Sequence, residues 1–261
     1  MSDDSSDLTG RPKQPAQGWS AALASLLSTV GIYLIVPVVA ASILFTVLRG
    51  SGQSISRIQD TLTQSVTAQF FYILLAEVMT VAVVWGLLKL FRWNWKTIGL
   101  TRPKWFHLLV GLVAVVPYLV IYVAMAKLVS ALVPGFDISQ AQEIGFNSVQ
   151  GGLQLTLTFI SLVILPPLAE EITMRGFLYT GLRKWLPRIV AALAVSILFG
   201  AAHLSEGGAA GPLWVGALDT AILSMVLIGL REWTGNLWAG ITLHMTKNLI
   251  AFLAIFIFHV R

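Results

Sequence analysis

The chain has 261 residues, 56% of them hydrophobic and only 11% charged, with a mean hydropathy of +0.80 and a formal charge of +5. A soluble domain carries about a quarter charged residues, so this composition cannot dress a water-soluble globule, and lipid must be the main solvent. Cysteine is absent, which excludes disulfides and thiolate metal sites, and the modest positive charge reflects loop lysines and arginines rather than nucleic-acid binding.

Residues 1–18 form a polar tail with Asp3, Asp4, Asp7, Arg11 and Lys13, a composition that predicts disorder. The tail lacks the basic start and short apolar run of a cleavable leader, so the first apolar stretch reads as an uncleaved anchor. A spanning helix needs about 20 mostly apolar residues. Candidate spans cover 21–48, 68–91, 106–133, 153–168, 189–204, 213–230 and 237–260. Gly50, Gly52, Gly99, Pro103, Pro134, Gly135, Gly207, Gly211 and Gly235 punctuate the gaps and mark turns. The predicted fold class is all-α, a polytopic transmembrane helix bundle of about seven to eight membrane helices. Its organisation is a tail at 1–18, N-terminal membrane helices over 19–150, a core over 153–252, and the end of the last helix at 253–261.

Charge orients the bundle. Arg11 and Lys13 lie in the tail; Lys89, Arg92, Lys96, Arg102 and Lys104 in the second-to-third connection; Arg175, Arg183, Lys184 and Arg188 before Ile189; Arg231 in the last connection. Arg49, Arg57 and Arg261 fall on the other side. The richer side is cytoplasmic, so the N-terminus is expected there. Residues 134–150, with Asp137 and Glu143 and no Lys or Arg, are expected outside. The remaining ionisable groups at membrane depth are Glu77, Lys127, Glu170, Glu171, Asp219, His244 and Lys247. Each is expensive in hydrocarbon, roughly 2.5–3.5 kcal/mol for Asp or Lys, and should face the interior. Asp219 and Lys247 are expected to pair, whereas His107 and His259 lie near span ends with no chemical role.

Three patterns stand out in the C-terminal half: Glu170-Glu171-Ile172-Thr173-Met174-Arg175, Phe199-Gly200-Ala201-Ala202-His203 and His244-Met245-Thr246-Lys247-Asn248. Pro166-Pro167 predicts a break or kink, with a fresh helix from about residue 168 to 186. Glu170 lies seventeen residues before Pro187 and His203 sixteen after it. At 1.5 Å per residue both sit about 24–26 Å from that turn, so a helical hairpin brings carboxylate and imidazole to one depth. Glu171 and Arg175, at i and i+4, share a face in the favourable order and should neutralise each other. Glu170 points about 100° away, has no local partner, and is the better candidate for chemistry. His244 and Asn248 repeat the i, i+4 spacing. Together Glu170, His203, His244 and Asn248 supply a base, a second base or orienter, and oxyanion donors, an inventory that fits attack of water on a carbonyl. Phe199 reads as a core residue supporting them.

These motifs resemble the CPBP family, the group of the type II CAAX prenyl endopeptidases and the bacteriocin-processing, abortive-infection membrane proteases. The family signature of Glu-Glu-x-x-x-Arg, Phe-x-x-x-His and His-x-x-x-Asn is intact and in order. Residues 96–103, with Ile98-Gly99-Leu100 and Arg102-Pro103, also resemble a segment found upstream in bacterial members. The resemblance implies an intramembrane endopeptidase in a bacterial cell membrane, acting on membrane-embedded or lipidated peptides, CAAX-type prenyl-protein-like peptides among them. It implies that Glu170 and His203 activate water, that His244 and Asn248 stabilise the oxyanion, and that Glu171 and Arg175 support them. Glu170, His203 and His244 could together hold a zinc ion with an open position. A zinc-bound histidine normally has its other nitrogen held by a carboxylate, carbonyl or water. Spacing alone assigns no spare carboxylate to His203 or His244, so a metal-free mechanism without cofactor is expected. Two other readings stand beside this one. A non-proteolytic immunity or scaffold protein of the same fold would keep the motifs. A transporter would show repeated halves with matching broken helices, and only one Pro-Pro break occurs.

Overall fold

Hydropathy alone locates most of the helices seen in the computed structural model, which describes residues 18–259. In chain order they are α1 (Gly18–Gly50), the short α2 (Ile55–Gln64), α3 (Val66–Leu90), α4 (Trp105–Leu132), α5 (Gly152–Arg183), α6 (Arg188–Ala210), α7 (Trp214–Thr234) and α8 (Trp238–Ile257). All but α2 are long and apolar enough to cross a membrane, and no strand occurs among the described residues. The predicted polar tail lies outside the described residues except for Gly18, which begins α1. Helix α2 escaped the hydropathy reading because only its Ile58 is buried. Serines hold both of its ends: Ser54 accepts the Arg57 N–H, and Ser65 accepts the Ala68 N–H to start α3.

Helix α5 is the central element. On one side Met174, Leu178 and Leu182 pack with Ala22 of α1 and Ala191, Val195 and Phe199 of α6. On another, Ile172 and Phe177 pack with Ile32 and Val36 of α1, Val84 and Leu88 of α3, and Leu237 and Ile241 by α8. A third cluster joins Tyr118 of α4 to Leu223 and Leu227 of α7 and Leu243 of α8. Side chains on the outside, such as Leu34, Val38, Val120 and Ile197, are apolar and exposed, as a lipid solvent requires. Glycines let helices approach closely where side chains would intervene. A Cβ on Gly200 of α6 would sit 2.6 Å from the Ala217 carbonyl oxygen of α7, and one on Gly111 of α4 would collide with the Ala239 carbonyl of α8.

Two predicted features are corrected. The first is the fresh helix expected after Pro166-Pro167: α5 runs through both prolines without ending, with its helix distorted just before them. The chain accommodates them with a π-helical turn at Ile160–Ile164, which widens the helix just before the missing N–H groups. The second is Lys127, which is exposed rather than facing the interior. It lies near the end of α4 at Leu132, where its long stem can carry the ammonium to the membrane surface. Asp219 and Lys247 do pair, at 3.1 Å, with the Tyr118 hydroxyl donating to the same carboxylate.

Loops tie the helix ends into two layers. At one, the Leu237 N–H donates to the Gly99 carbonyl at 2.9 Å and Asn236 Nδ2 to Thr101 Oγ1 at 2.6 Å, joining the α3–α4 connection to the α7–α8 turn. At the other, the α4–α5 connection lies over the ends of α3, α6 and α7. There the Glu143 N–H donates to the Glu206 carbonyl at 2.7 Å, the Phe146 N–H to Gln69 Oε1 at 2.8 Å, and Gln140 Nε2 to the Pro212 carbonyl at 3.2 Å.

Candidate active site

The Glu170–Arg175 motif lies mid-way along α5, where the helix is again π-helical from Glu171 to Leu178. A further π-helical turn, Leu253–Ile257, follows the third motif on α8. Among the described residues, the π-helical turns thus fall on α5 and α8, the two helices that face each other across the site. Such turns re-aim side chains by breaking the regular ladder, and they recur at functional sites.

The cavity between these helices has a volume of about 200 Å³. Glu170, His203, His244 and Asn248 all line it, so the structure gathers the four residues that the sequence proposed from three separate helices. Glu170 on α5 and His203 on α6 thus share one cavity wall, with α5 continuous through the prolines. Glu170 Oε2 lies 3.7 Å from His244 Nε2. The gap exceeds a direct hydrogen bond, which leaves the two groups within reach of one water or one carbonyl oxygen.

Glu171 is fully buried and does two things. Its Oε1 lies 2.9 Å from Arg175 Nη1, as the i, i+4 spacing predicted, and also 3.2 Å from His244 Nδ1. A carboxylate paired with arginine can only accept, so Nδ1 of His244 carries a proton and Nε2 is turned toward Glu170. The Arg175 guanidinium stacks over the Phe199 ring, with Cζ 4.1 Å from its centroid. The same ring meets His203 edge-on at 4.6 Å and His244 at 6.1 Å. Phe199 is therefore a spacer among three polar side chains, more than the plain core residue its chemistry suggests.

His203 ends the α-helical part of α6. Its Nδ1 lies 2.7 Å from the Phe199 carbonyl oxygen, which can only accept, so Nδ1–H donates and the Nε2 lone pair is free. Nε2 is 3.9 Å from Glu206 Oε1. Spacing alone assigned neither histidine a carboxylate; the fold brings Glu171 to His244 and Glu206 toward His203. Spacing hid the first because 73 residues separate the pair. Glu206 escaped because its segment is glycine-rich and reads as a loop, yet the chain stays helical there as a 3-10 stretch, Leu204–Ala210. Its position three residues after His203, which in a 3-10 helix is the same face, was the available signal.

Asn248 has a local structural role as well. Its Nδ2 donates to the Leu162 carbonyl at 2.9 Å. In an α-helix that carbonyl would accept from residue 166, and in a π-helix from residue 167; both are proline and have no N–H. The side-chain amide supplies the missing donor, and its second N–H is left for the cavity. Asp219, Lys247 and Glu206 also line the cavity, so it is polar on several sides. Among the described residues, no group of three or more His, Asp or Glu side chains gathers closely enough to hold a metal ion.

Seven apolar helices among the described residues, around a part-buried carboxylate–imidazole pair, define an integral membrane protein. A family model, that of the Type II CAAX prenyl endopeptidase Rce1-like proteins, matches residues 152–250, in agreement with the resemblance noted in the motifs. The matched span holds all three motifs and runs from the start of α5 into α8. In this segment the chain is similar to CAAX-type intramembrane proteases. No curated protein and no solved structure matches it.

Proposed function

We propose that the chain is an intramembrane endopeptidase that hydrolyses peptide bonds of membrane-associated substrates by a glutamate-based mechanism. The observation that carries the reading is the approach of Glu170 to His244 Nε2 at 3.7 Å inside the cavity. Glu170 takes a proton from water as the oxygen attacks the scissile carbonyl carbon, and the free Nε2 of His203 accepts the water's other O–H to orient it. The resulting oxyanion takes hydrogen bonds from Nε2–H of His244 and from the second N–H of Asn248. For His244 to donate there, both ring nitrogens must carry a proton, Nδ1–H toward Glu171 and Nε2–H toward the oxyanion. Glu170 then delivers its proton to the leaving amine, which balances the hydrolysis. Phe199, Arg175 and Glu171 hold the two imidazoles in position. Substrates of the type named in the family description, prenylated C-terminal peptides, fall within this proposal, as do membrane-anchored peptides without a lipid.

The test is cleavage of membrane-anchored peptides by the purified protein, with Glu170→Gln as control. The expected loss in the variant is about 10²–10⁴-fold, the usual contribution of a general base. Equal rates for the two proteins would overturn the assignment of Glu170.

A further inference from the structure

Resting on the endopeptidase reading, one property of the same cavity remains: the side of the membrane from which it is filled. Its lining runs in one direction. From Glu170 and His244 it passes Pro166 and Leu162 on α5 and Ala251 and Phe256 on α8, and it ends at Gln142 and Ile144 of the α4–α5 connection. No residue of the α3–α4 connection, the α5–α6 turn or the α7–α8 turn contributes to it. Toward those three, the way is closed by side chains that are all buried: Arg175, Phe177 and Leu178 on α5, with Ile98 and Leu237 packed behind. The cavity is thus a well with Glu170 and His244 at its inner end, the buried Glu171–Arg175 pair behind them, and residues 142–144 at its other end.

The two ends of the bundle differ in charge. The closed end carries Lys96, Arg102 and Lys104 in one connection, Arg183, Lys184 and Arg188 around the next turn, and Arg231 beside the last. The mouth end has Asp137 and Glu143 in its long connection, with no Lys or Arg there. Lysine and arginine in short connections mark the cytoplasmic side. We infer that the catalytic well opens away from the cytoplasm and that its substrates are peptide segments presented on the extracytoplasmic side of the membrane, not C-terminal tails held at the cytoplasmic surface. A tail on the cytoplasmic side would have to displace the buried Arg175 and Phe177 layer to reach Glu170, and that layer holds the ion pair that fixes His244.

The absence of native cysteine makes the test direct. Single cysteines are introduced by Gln142→Cys at the rim, Ala251→Cys on the wall and Thr101→Cys at the closed end, all three at exposed positions. Each variant is treated with a membrane-impermeant maleimide in intact cells and again after lysis. The expected result is that Gln142→Cys and Ala251→Cys are labelled in intact cells to the level reached after lysis, while Thr101→Cys is labelled only after lysis. Labelling of Thr101→Cys but not Gln142→Cys in intact cells would overturn the orientation. Labelling of Gln142→Cys with Ala251→Cys unreactive before and after lysis would overturn the mouth. Labelling does not depend on catalysis, so either failure is distinct from a failure of the endopeptidase reading, which the Glu170→Gln comparison decides separately.

Discussion

Asn248 on α8 donates its side-chain amide to the backbone carbonyl of Leu162 on α5, 86 residues earlier, at 2.9 Å. That single bond explains how a helix passes through Pro166-Pro167 without breaking, and it ties the third motif to the helix that carries the first. The carbonyl has lost both of its possible helical donors, so Asn248 is the partner that satisfies it.

Asn248→Ala should therefore destabilise the fold as well as slow catalysis. An unsatisfied buried carbonyl costs about 1–3 kcal/mol, readable as a lowered Tm in detergent. Adding Pro166→Ala to Asn248→Ala returns an N–H one helical turn from Leu162 and should recover part of the lost stability without recovering activity. A double variant no more stable than Asn248→Ala would sink this account of the proline pair.

Arg175 is fully buried against Glu171 and the Phe199 ring. Removing one partner of such a pair leaves the other charge stranded, at roughly 3–5 kcal/mol. Arg175→Ala should lower folded yield and Tm together with activity. Arg175→Lys should recover less than charge conservation alone suggests, because a lysine ammonium lacks the planar face that stacks on Phe199. Normal thermal stability in the alanine variant would show that the pair is dispensable to the fold.

Gly200 lies between Phe199 and His203 at the contact of α6 with α7. A Cβ there would meet the Ala217 carbonyl oxygen at 2.6 Å, and a backbone atom cannot swing aside as a side chain can. Gly200→Val should cost about 1–3 kcal/mol by overpacking and should displace His203, lowering the cleavage rate. The comparison with Gly229→Val is informative, since Gly229 on α7 has open space around it. Equal stability of the two variants would contradict the close packing of α6 on α7.

A metal-free reaction should survive strong chelators, and purified active protein should contain no stoichiometric zinc. The reason is the donor set: Glu171 is committed to Arg175, and Glu170 with His244 makes only two ligands at one point. Elemental analysis showing about one zinc per chain, the count of a catalytic zinc site, lost with activity on chelation and restored with it, would replace the glutamate mechanism by a metal one.

The membrane class, the positions of the spans and the identity of the motif residues were legible in the amino-acid order, because each rests on a local quantity. A run of apolar residues is long enough to cross the bilayer or it is not, and Glu171 and Arg175 are one helical turn apart whatever surrounds them. The pairing of Asp219 with Lys247 was legible for a related reason, since two opposite charges at membrane depth have few other partners. Where the order misled, a local rule met a distant partner. Two prolines predict a break or kink, and α5 continues through them with an amide from α8 serving the Leu162 carbonyl that their missing N–H groups leave without a helical donor. Spacing assigned His244 no carboxylate, and Glu171 reaches it across the bundle. The mouth of the cavity likewise depends on which loop folds over which helix ends, a relation among α4, α5, α6 and α8 that no stretch of sequence contains. Local order thus determined which residues are polar within an apolar bundle, and tertiary packing decided which polar atoms meet, because a buried donor or acceptor takes its partner from whatever the fold brings within about 3 Å.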